Sequence, residues 1–468
     1  MADGAPASIR GPFSFPLYSP AMGDARECPF CRADLGPGGA PRAGHLDPEV
    51  LLLVLANNPW WRPEAGLCAQ CAAGFATAFA EAQAHHPGFA RGGVPILPTP
   101  VRLGAPEERT GRGVTMAFLD SGFYAHPDLV KPRDRNLRYV DVNDPRAQRA
   151  DLEQPDESSW HGMMTSVVAC GNGWLSRGLY RGLASEARLV LVKVGSARRI
   201  KHDDIRRGIE WVIRNRRRYG IRIVNVSCGG DYEASYLEDS LSQAVEAATR
   251  AGLLVVAAAG NLGDKPGHPV IPPASAPSAL TVGGLDDKNR LPFSTYDIYH
   301  SSYGPTVDGL QKPEVIAPGI WVAAPILPGT PTADQATLFS ALAGASDARL
   351  SEIIAAQPGV DGALDAAAGL EPYLIRQLLE ARIRDNNVIS GSYKHVDGTS
   401  FSAPIVASVA AQMFEANPQL SARQVRRILI GTATRIGHVG VDRQGWGVIN
   451  PREAVQRARE AAGDGRRS

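Results

Sequence analysis

Short apolar runs alternate with stretches of helical spacing from residue 114 onward, and this alternation constrains the fold more than any other feature. The runs lie at 114–119, 188–194, 221–226, 253–258 and 279–282, with helical spacing at 203–217 and 237–251. Strands separated by helices of about 10 to 15 residues are typical of strand-helix-strand units, and continuously apolar runs suit strands covered on both faces. The sequence therefore predicts an α/β fold with a mainly parallel sheet flanked by helices.

The chain of 468 residues is too long for one average domain. We expect a flexible segment at 1–27, a four-cysteine module at 28–86, a Pro-rich linker at 87–113, a main α/β domain at 114–458 and a flexible tail at 459–468. Prolines in the linker limit regular hydrogen bonding there. Within the main domain, helical spacing at 330–388 predicts an insertion of two or three amphipathic helices.

Charge and hydropathy exclude several classes of partner. The formal net charge is +1 at pH 7, which provides no global field to attract nucleic acid or an anionic membrane. A basic stretch at 206–218 lies on a predicted helix with one apolar face, which favours a solvated outer surface over a nucleic-acid site. No apolar run approaches the roughly 20 residues that span a bilayer, and the first residues lack a signal-peptide core. We expect a cytoplasmic protein.

Four cysteines near the start of the chain form two C-x-x-C pairs, and these are Cys28, Cys31, Cys68 and Cys71. This pattern fits a tetrahedral zinc site, and it is typical of a reducing compartment. Because four thiolates leave no position for a reactive water, the predicted zinc is structural. The alternative is a pair of buried or redox-active dithiols. We expect the module to bind a regulatory protein partner or to regulate the main domain.

Three polar residues occupy positions suited to nucleophilic catalysis. Asp120 closes the first apolar run, His161 begins a helical segment, and Ser400 precedes an apolar helix. A serine hydroxyl needs a neutral imidazole to accept its proton and a carboxylate to hold the imidazole in the useful tautomer. Singly, each residue has a structural explanation as a turn former, a polar helix-start residue or a helix cap. Together they predict a catalytic triad.

The motifs around these residues resemble those of the subtilisin-like serine protease family, peptidase S8. The letters DSG at 120–122, HGMM at 161–164 and GTSFSAP at 398–404 resemble the family motifs D-[ST]-G, H-G-T-H and G-T-S-M-A-x-P. Segments 224–230, 312–319 and 445–450 resemble N-x-S-x-G-G, K-P-D-V-x-A-P-G and G-x-G-x-[VI]-[ND]. The resemblance spans most of 114–455. It implies a subtilisin-like three-layer fold and an endopeptidase that acts on proteins or peptides.

The resemblance also implies the residues that bind the substrate. Asn261 matches the family's oxyanion-hole asparagine, and the backbone N–H of Ser400 would be the second donor. The side chain before the scissile bond would lie between two backbone segments, formed by Ser227, Cys228 and Gly229 and by Ala258, Ala259 and Gly260. Leu262 would make the pocket floor apolar, which predicts cleavage after uncharged, apolar residues. Calcium is a further expectation from the family, without assigned ligands.

The sequence departs from the family pattern in three places. Met164 replaces the second histidine, and Phe401 and Ser402 replace Met-Ala after the nucleophile. Since neither replaced group transfers protons, these changes affect packing and specificity; Ser402 is also an alternative nucleophile. The insertion 330–388, which should emerge close to Ser400, predicts a lid or exosite, with a purely structural insertion as the alternative. The competing interpretation of the whole chain is an inactive scaffold that recruits a partner through the zinc module.

Overall fold

The computed structural model describes residues 96–464, apart from 197 and 290–295, and parts of 27–76. The chain divides into two compact units, Met1–Thr77 and Ala78–Ser468. This division falls before residue 86, where the sequence places the end of the first module. In the first unit the described residues include a 3₁₀ helix at Pro63–Ala65 and the buried Trp61, whose indole N–H donates to the Gly66 carbonyl at 3.0 Å.

A mainly parallel sheet organises the second unit. Among the described residues its strands are β1 (Thr115–Asp120), β2 (Asn136–Asp141), β3 (Arg188–Lys193), β4 (Ile221–Val226), β5 (Leu254–Ala258), β6 (Leu280–Asp286), β7 (Asp297–Ile298) and β8 (Val315–Pro318). The strand order is β2-β3-β1-β4-β5-β6-β7, with β8 also paired to β6. Only the β6–β7 pair in this sheet is antiparallel within the described part of the chain. The predicted α/β fold is therefore confirmed.

Helices cover both faces of the sheet. The α-helices of the described residues in the second unit are α1 (Thr99–Arg102), α2 (Pro127–Val130), α3 (Ser159–Cys170), α4 (His202–Tyr219), α5 (Ser240–Arg250), α6 (Pro331–Gly344), α7 (Leu350–Ala355), α8 (Gly362–Ala367), α9 (Pro372–Asp385), α10 (Thr399–Ala416), α11 (Ala422–Thr432), α12 (Val441–Gln444) and α13 (Pro451–Asp464). Helices α4 and α5 contact one face of the sheet, and the central α10 contacts the other.

Strand β1 shows why its sequence is continuously apolar. Its side chains alternate between the faces of the sheet, so Met116 and Phe118 join one hydrophobic cluster while Ala117 and Leu119 join the other. Both clusters are covered by helices, and every residue of the strand is buried. The strand ends at Asp120, which places a carboxylate at the carboxyl edge of the sheet. In parallel sheets this edge is where ligands bind.

The insertion forms four α-helices, α6 to α9, instead of the predicted two or three. Pro358 and Gly359 interrupt the helical pattern between α7 and α8, and Gly369 interrupts it before α9. The four helices enclose their own apolar cluster, which includes Phe339 and Ile375. The chain then forms the hairpin β10 (Val388–Ser390) and β11 (Tyr393–Val396), and β11 pairs with β9 (Val322–Pro325). This pairing returns the chain directly to the segment before Ser400.

Two boundaries of the main domain differ from the predicted ones. Residues 96–105, expected to be a linker, are largely buried in the second unit and contain α1. The final helix α13 continues to Asp464, whereas a flexible tail was expected from 459. Ala458 is buried, and the exposed residues that follow it, Arg459, Glu460 and Ala461, have high helix propensity. In the described part of the chain, no helix combines the length and hydropathy that a membrane crossing requires.

Candidate catalytic site

Asp120 and His161 meet where β1 ends and α3 begins. The Nδ1 atom of His161 lies 2.8 Å from Oδ1 of Asp120. The Asp120 side chain is 1% exposed and that of His161 is 20% exposed, so the carboxylate is buried and the ring reaches the surface. A glycine makes this approach possible: a Cβ at Gly162 would collide with the carbonyl of Gly122 and lie 2.9 Å from the Asp120 Cβ. The predicted pair is therefore brought together.

Two neighbours orient the Asp120 carboxylate. Its Oδ1 accepts a hydrogen bond from the backbone N–H of Ser121 at 2.8 Å, and its Oδ2 accepts one from the Thr165 hydroxyl at 3.2 Å. Neither Ser121 nor Thr165 was predicted as a site residue. The DSG motif could have identified Ser121. The position of Thr165, one helical turn after His161, could have identified Thr165.

The environment raises the pKa of His161. Burial alone lowers the pKa of an imidazole, but the charge of Asp120 and the hydrogen bond to it raise the pKa by more, so the result lies above the ordinary value. With Nδ1 donating to Asp120, Nε2 is the acceptor in the neutral tautomer that this hydrogen-bond network assigns. The arrangement suits a base that takes up a proton and is then stabilised as a cation.

Ser400 lies in the first turn of α10, at the same edge of the sheet. Its hydroxyl donates to the carbonyl of Ser227 at 3.1 Å, and its own carbonyl accepts from the Ser227 hydroxyl at 2.9 Å. Within the described residues no hydrogen bond joins Ser400 to His161. The next residue along α10 does approach the imidazole, because the ring of Phe401 lies 5.8 Å from the His161 ring, measured between centroids. The residue that follows Ser400 thus packs beside His161, while the Ser400 hydroxyl is turned toward Ser227.

Asn261 follows β5 and is fixed by the residue that precedes Ser400. Its Oδ1 accepts from the backbone N–H of Thr399 at 3.0 Å and from the Thr399 hydroxyl at 2.9 Å. This pattern assigns the other end of the amide, Nδ2, as the outward-facing donor. Among the described residues Nδ2 donates to no protein acceptor, and it lies 3.6 Å from where a Cβ of Gly398 would be. The amide N–H groups are therefore available near Ser400.

The residues predicted to bind the substrate lie at the ends of two adjacent strands. Ser227, Cys228 and Gly229 follow β4, while Ala258 ends β5 and Ala259 and Gly260 follow it. Since β4 and β5 pair in parallel, the two segments lie side by side. Leu262 is 42% exposed at this edge, so it offers apolar surface without being enclosed.

The thiol of Cys228, in the segment after β4, is a neutral group. Burial raises the pKa of Cys228, and the charge of Asp120 raises it further. Its Sγ donates to the Leu119 carbonyl at 3.7 Å. A protonated, hydrogen-bonded thiol is a poor nucleophile, so Cys228 does not compete with a serine in this site.

The departures from the family motifs are accommodated by packing. Met164 and Phe401 are 5% and 4% exposed and belong to the same core cluster. Ser402 is fully buried, and its hydroxyl donates to the Pro318 carbonyl at 3.2 Å. Because this hydroxyl faces the interior, the structure excludes Ser402 as the alternative nucleophile.

In the first unit, the thiol sulfurs of Cys28, Cys68 and Cys71 all lie within 4.8 Å of one another. Two sulfurs also accept backbone hydrogen bonds: Cys68 N–H donates to Cys28 Sγ at 3.4 Å, and Cys71 N–H donates to Cys68 Sγ at 3.3 Å. Three converging thiols with such donors suit a thiophilic metal such as zinc. Cys31, the fourth predicted ligand, lies outside the described residues. Within the described residues no other group of His, Cys, Asp or Glu side chains forms a metal-binding cluster, so calcium ligands are not assigned.

The chain belongs to the subtilase family, whose model (Peptidase_S8) matches residues 111–447. Similar proteins include the serine protease AprX of Bacillus subtilis (strain 168), which is 28% identical over 74% of this chain and 67% of its own length. Subtilisin BL of Lederbergia lenta is 28% identical over 74% of this chain and 92% of its own length. The family and these relatives identify a serine endopeptidase of the subtilisin-like class.

A solved structure agrees with the fold. Fervidolysin from Fervidobacterium pennivorans, described as a keratinolytic enzyme related to subtilisin, superposes with a TM-score of 0.51 and 21% identity. The match covers 76% of this chain and 45% of that chain. At this level of identity the likeness bears on the fold alone.

Proposed function

We propose that the chain hydrolyses peptide bonds of proteins through an acyl-enzyme on Ser400. His161 acts as general base and then as general acid, and Asp120 orients the imidazole. The observation that carries this proposal is the 2.8 Å hydrogen bond between His161 Nδ1 and the buried Asp120 carboxylate, which leaves Nε2 to accept a proton beside Ser400.

The reaction begins when the Ser400 side chain rotates from the Ser227 carbonyl toward His161. Catalytic hydrogen bonds in free enzymes are often absent or long and form only with substrate. The Ser400 oxygen then bonds to the substrate carbonyl carbon while its proton passes to His161 Nε2. His161 returns that proton to the leaving amine as the peptide bond breaks, and a water activated by His161 hydrolyses the ester.

Two donors stabilise the oxyanion of the tetrahedral intermediates. Asn261 Nδ2 is held outward by the two hydrogen bonds from Thr399, and the backbone N–H of Ser400 is the second donor. Ser400 lies in the first turn of α10, an 18-residue helix whose dipole adds positive potential there. Preorganised donors of this kind are commonly worth several kcal/mol of activation barrier.

The cleft favours apolar side chains. Leu262 presents exposed apolar surface beside Asn261, Cys228 is neutral, and the ring of Trp160 stands at 87° to that of His161 with centroids 5.1 Å apart. Trp160 is 44% exposed. These features support cleavage after uncharged, apolar residues, which a library of short peptides differing at the residue before the cut would test.

A fluorophosphonate probe tests the proposed nucleophile. The native chain should be labelled, and Ser400→Ala should not be. Ser402→Ala is the matched control, because its hydroxyl is two residues away and faces Pro318; labelling should persist. An inactive scaffold, the competing function, would leave the native chain unlabelled although folded. The orientation of the Ser400 hydroxyl toward Ser227 is the one observation that favours this alternative.

The insertion would limit access of folded proteins to the site. Its return strand β11 ends at Val396, four residues before Ser400, and its helices have their own apolar core. Deletion of 332–386 should leave cleavage of a short peptide unchanged and increase cleavage of a folded protein. Equal rates on both substrates before and after deletion would identify the insertion as purely structural.

The cysteines of the first unit would bind one structural zinc through Cys28, Cys68 and Cys71, with Cys31 as the fourth ligand. The convergence of three thiols supports this assignment. Metal analysis of the purified chain should give one zinc per molecule, reduced by Cys68→Ser. Docking of a regulatory partner on this unit is a further part of the proposal, and pull-down with the full chain would test it. A cytoplasmic location is another part, and cell fractionation would test it.

A further inference from the structure

A buried segment precedes the first strand of the sheet, and we call residues 96–105 the strap. Ile96, Leu97, Arg102 and Ala105 are each at most 5% exposed. The strap's first residues are fixed by hydrogen bonds: Leu97 N–H donates to Asn289 Oδ1 at 2.8 Å, and the Ile96 carbonyl accepts from a tyrosine hydroxyl at 3.2 Å. The strap is therefore an integral part of the second unit.

Arg102 connects the strap to the chain that leads into β9. Its side chain is fully buried and forms a two-pronged ion pair with Asp287, with Nε–Oδ2 and Nη2–Oδ1 distances of 2.7 and 2.8 Å. Nη1 also donates to the Trp321 carbonyl and Nη2 to the Ile320 carbonyl, each at 2.7 Å. Only the planar guanidinium fork can bind a carboxylate in this way and still reach two carbonyls.

The backbone at 319–321, which includes the two carbonyls bound by Arg102, is also hydrogen-bonded to the segment before Ser400. Gly398 N–H donates to the Gly319 carbonyl at 2.7 Å, and Trp321 N–H donates to Asp397 Oδ1 at 3.0 Å. The backbone at Trp321 has a φ of +60°, a left-handed conformation that is unfavourable for a bulky side chain. Such a conformation persists only where surrounding contacts impose it. Arg102 supplies contacts of this kind.

We propose that Arg102 is a positioning residue for peptide hydrolysis. By holding the carbonyls of 320 and 321, it fixes the peptide 319–321 in the conformation that binds 397–398 and thereby sets the position of Ser400. The inference rests on the proposed role of Ser400 as nucleophile. Arg102 has no hydrogen bond to the substrate segments after β4 and β5, so its loss should lower kcat and leave KM unchanged.

A purely structural role for Arg102 makes a different prediction. Removing one partner of a buried ion pair destabilises a protein strongly. If this were the whole effect, the melting temperature would fall, but the molecules that remain folded would react at the native rate. The reactivity of the folded population therefore separates the two roles.

The decisive variant is Arg102→Lys, which keeps the positive charge beside Asp287 and loses the fork. We would measure the labelling rate with a fluorophosphonate, and kcat and KM on a short peptide, at a temperature where circular dichroism shows full folding. We expect the labelling rate and kcat to fall by about 10- to 100-fold, since misplacement of a reacting group by about 1 Å can cost 10²-fold. KM should stay within about twofold.

Arg376→Lys is the matched control. Arg376 is also buried, and its guanidinium donates to Asp347 at 3.0 Å and to the carbonyls of Leu342 and Ala345, all within the insertion. Because the Asp347 side chain is 55% exposed, replacement of Arg376 should lower the melting temperature by less than Arg102→Lys does, and it should leave the labelling rate and short-peptide kcat unchanged.

A milder variant, Asp287→Asn, decides the matter if Arg102→Lys does not fold. The introduced amide has no negative charge to pair with Arg102, but its oxygen still accepts one hydrogen bond. We therefore expect kcat to fall by a few-fold at constant KM. Native labelling rates in whichever of these variants is folded would overturn the inference. If Ser400→Ala were still labelled, the proposed nucleophile itself would be wrong, which is a separate outcome.

Discussion

The two halves of the proposed catalytic site are held in different ways. Asp120 at the end of β1 and His161 at the start of α3 are 41 residues apart in the sequence, and one short hydrogen bond joins them directly. Ser400 comes from a distant part of the sequence, and its position depends on Ser227, on Asn261 through the adjacent threonine, and on the peptide that precedes β9. One direct hydrogen bond therefore couples the two groups of the first half, whereas several bonds through intermediate residues place Ser400 in the second half.

This difference determines how each half responds to mutation. Where one hydrogen bond alone couples two groups, its loss removes that coupling completely. Loss of one bond in a network shifts the shared position and leaves the other bonds to limit the damage. The largest loss of activity should therefore follow from changes to the Asp120 carboxylate, and smaller, graded losses should follow from changes around Ser400 that spare its hydroxyl.

Replacement of the carboxylate should have the largest effect. Asp120→Asn retains the shape of the side chain but favours the wrong imidazole tautomer, so Nε2 no longer accepts the serine proton. We expect kcat on a short peptide to fall by about 10⁴-fold with little change in KM, as measured by steady-state kinetics.

Asp141→Asn provides the control for this prediction. Asp141 ends the strand β2 in the same sheet, and its carboxylate lies 3.9 Å from the Lys193 ammonium group, away from His161. Its replacement should change kcat by less than about twofold, because the hydrogen bonds and ion pairs of the Asp141 carboxylate go to Asn143 and Lys193 and not to Asp120, His161 or Ser400. Comparable losses in the two variants would mean that the sheet edge, and not the imidazole tautomer, controls activity.

Removal of the oxyanion donor should have the next largest effect. Asn261→Ala deletes a preorganised amide that acts only when negative charge develops on the substrate. We expect kcat to fall by about 10²- to 10³-fold at nearly constant KM. Asn386→Ala removes an amide that donates to the Arg382 carbonyl at the end of α9, and it should leave short-peptide kinetics unchanged. A loss of Asn261→Ala confined to KM would contradict the oxyanion role.

The pH profile tests the single contact of the first half. Although burial opposes it, the charge of Asp120 and the hydrogen bond to it raise the pKa of His161 above the ordinary value, so the imidazole stays protonated at higher pH than a free one. The base must be neutral, so kcat/KM should fall about tenfold per pH unit below that raised pKa. Asp120→Asn should move the His161 titration, followed by ring-proton NMR, to lower pH. An unchanged titration would show that the carboxylate does not set the pKa.

The raised pKa of His161 affects the stability of the fold in the opposite direction to its effect on activity. Since the folded protein binds the His161 proton more tightly than the unfolded chain, this group contributes its full stabilisation below the unfolded pKa. The contribution is lost as the pH rises through the folded pKa. The pH range in which His161 stabilises the fold most is therefore the range in which the enzyme is least active.

The sequence predicted the sheet, and its motifs proposed the residues of both halves. Alternating apolar runs predicted the parallel sheet, and short motifs around Asp120, His161, Ser400 and Asn261 predicted the residues that the structure brings to one edge. A motif of this kind consists of residues that are close in sequence and whose types are limited by the chemistry of the site. The motif alone does not exclude Ser402 as the nucleophile, because the burial of its hydroxyl against Pro318 depends on the folded chain.

The network around Ser400 was not predictable from the sequence. Arg102 and Asp287 are 185 residues apart, and Arg102 lies in a proline-rich stretch that reads as a linker. Long-range pairs of this kind carry no periodic signal, because they depend on how several elements pack together. The direction of the Ser400 hydroxyl is likewise a choice between rotamers that a sequence does not encode.

Two threonines allow the halves to be compared with the same substitution. Thr399 Oγ1 donates to Asn261 Oδ1 at 2.9 Å and accepts from Gly260 N–H at 3.1 Å, so it links the oxyanion donor to the substrate segment. Thr165 Oγ1 lies 3.2 Å from both Asp120 Oδ2 and the Gly162 carbonyl, and it therefore shares one proton between two acceptors. Valine removes either hydroxyl with little change of shape.

Thr399→Val should lower kcat by about 10-fold, because two hydrogen bonds of about 1 kcal/mol each are lost and the network retains part of their effect. Thr165→Val should lower kcat by less than about fivefold, because Asp120 keeps its bonds to Ser121 and His161. Steady-state kinetics on one short peptide, with melting temperatures for both variants, measures the difference. A larger loss from Thr165→Val at equal stability would reverse the comparison, since it would show that the first half also depends on a network and not on one contact.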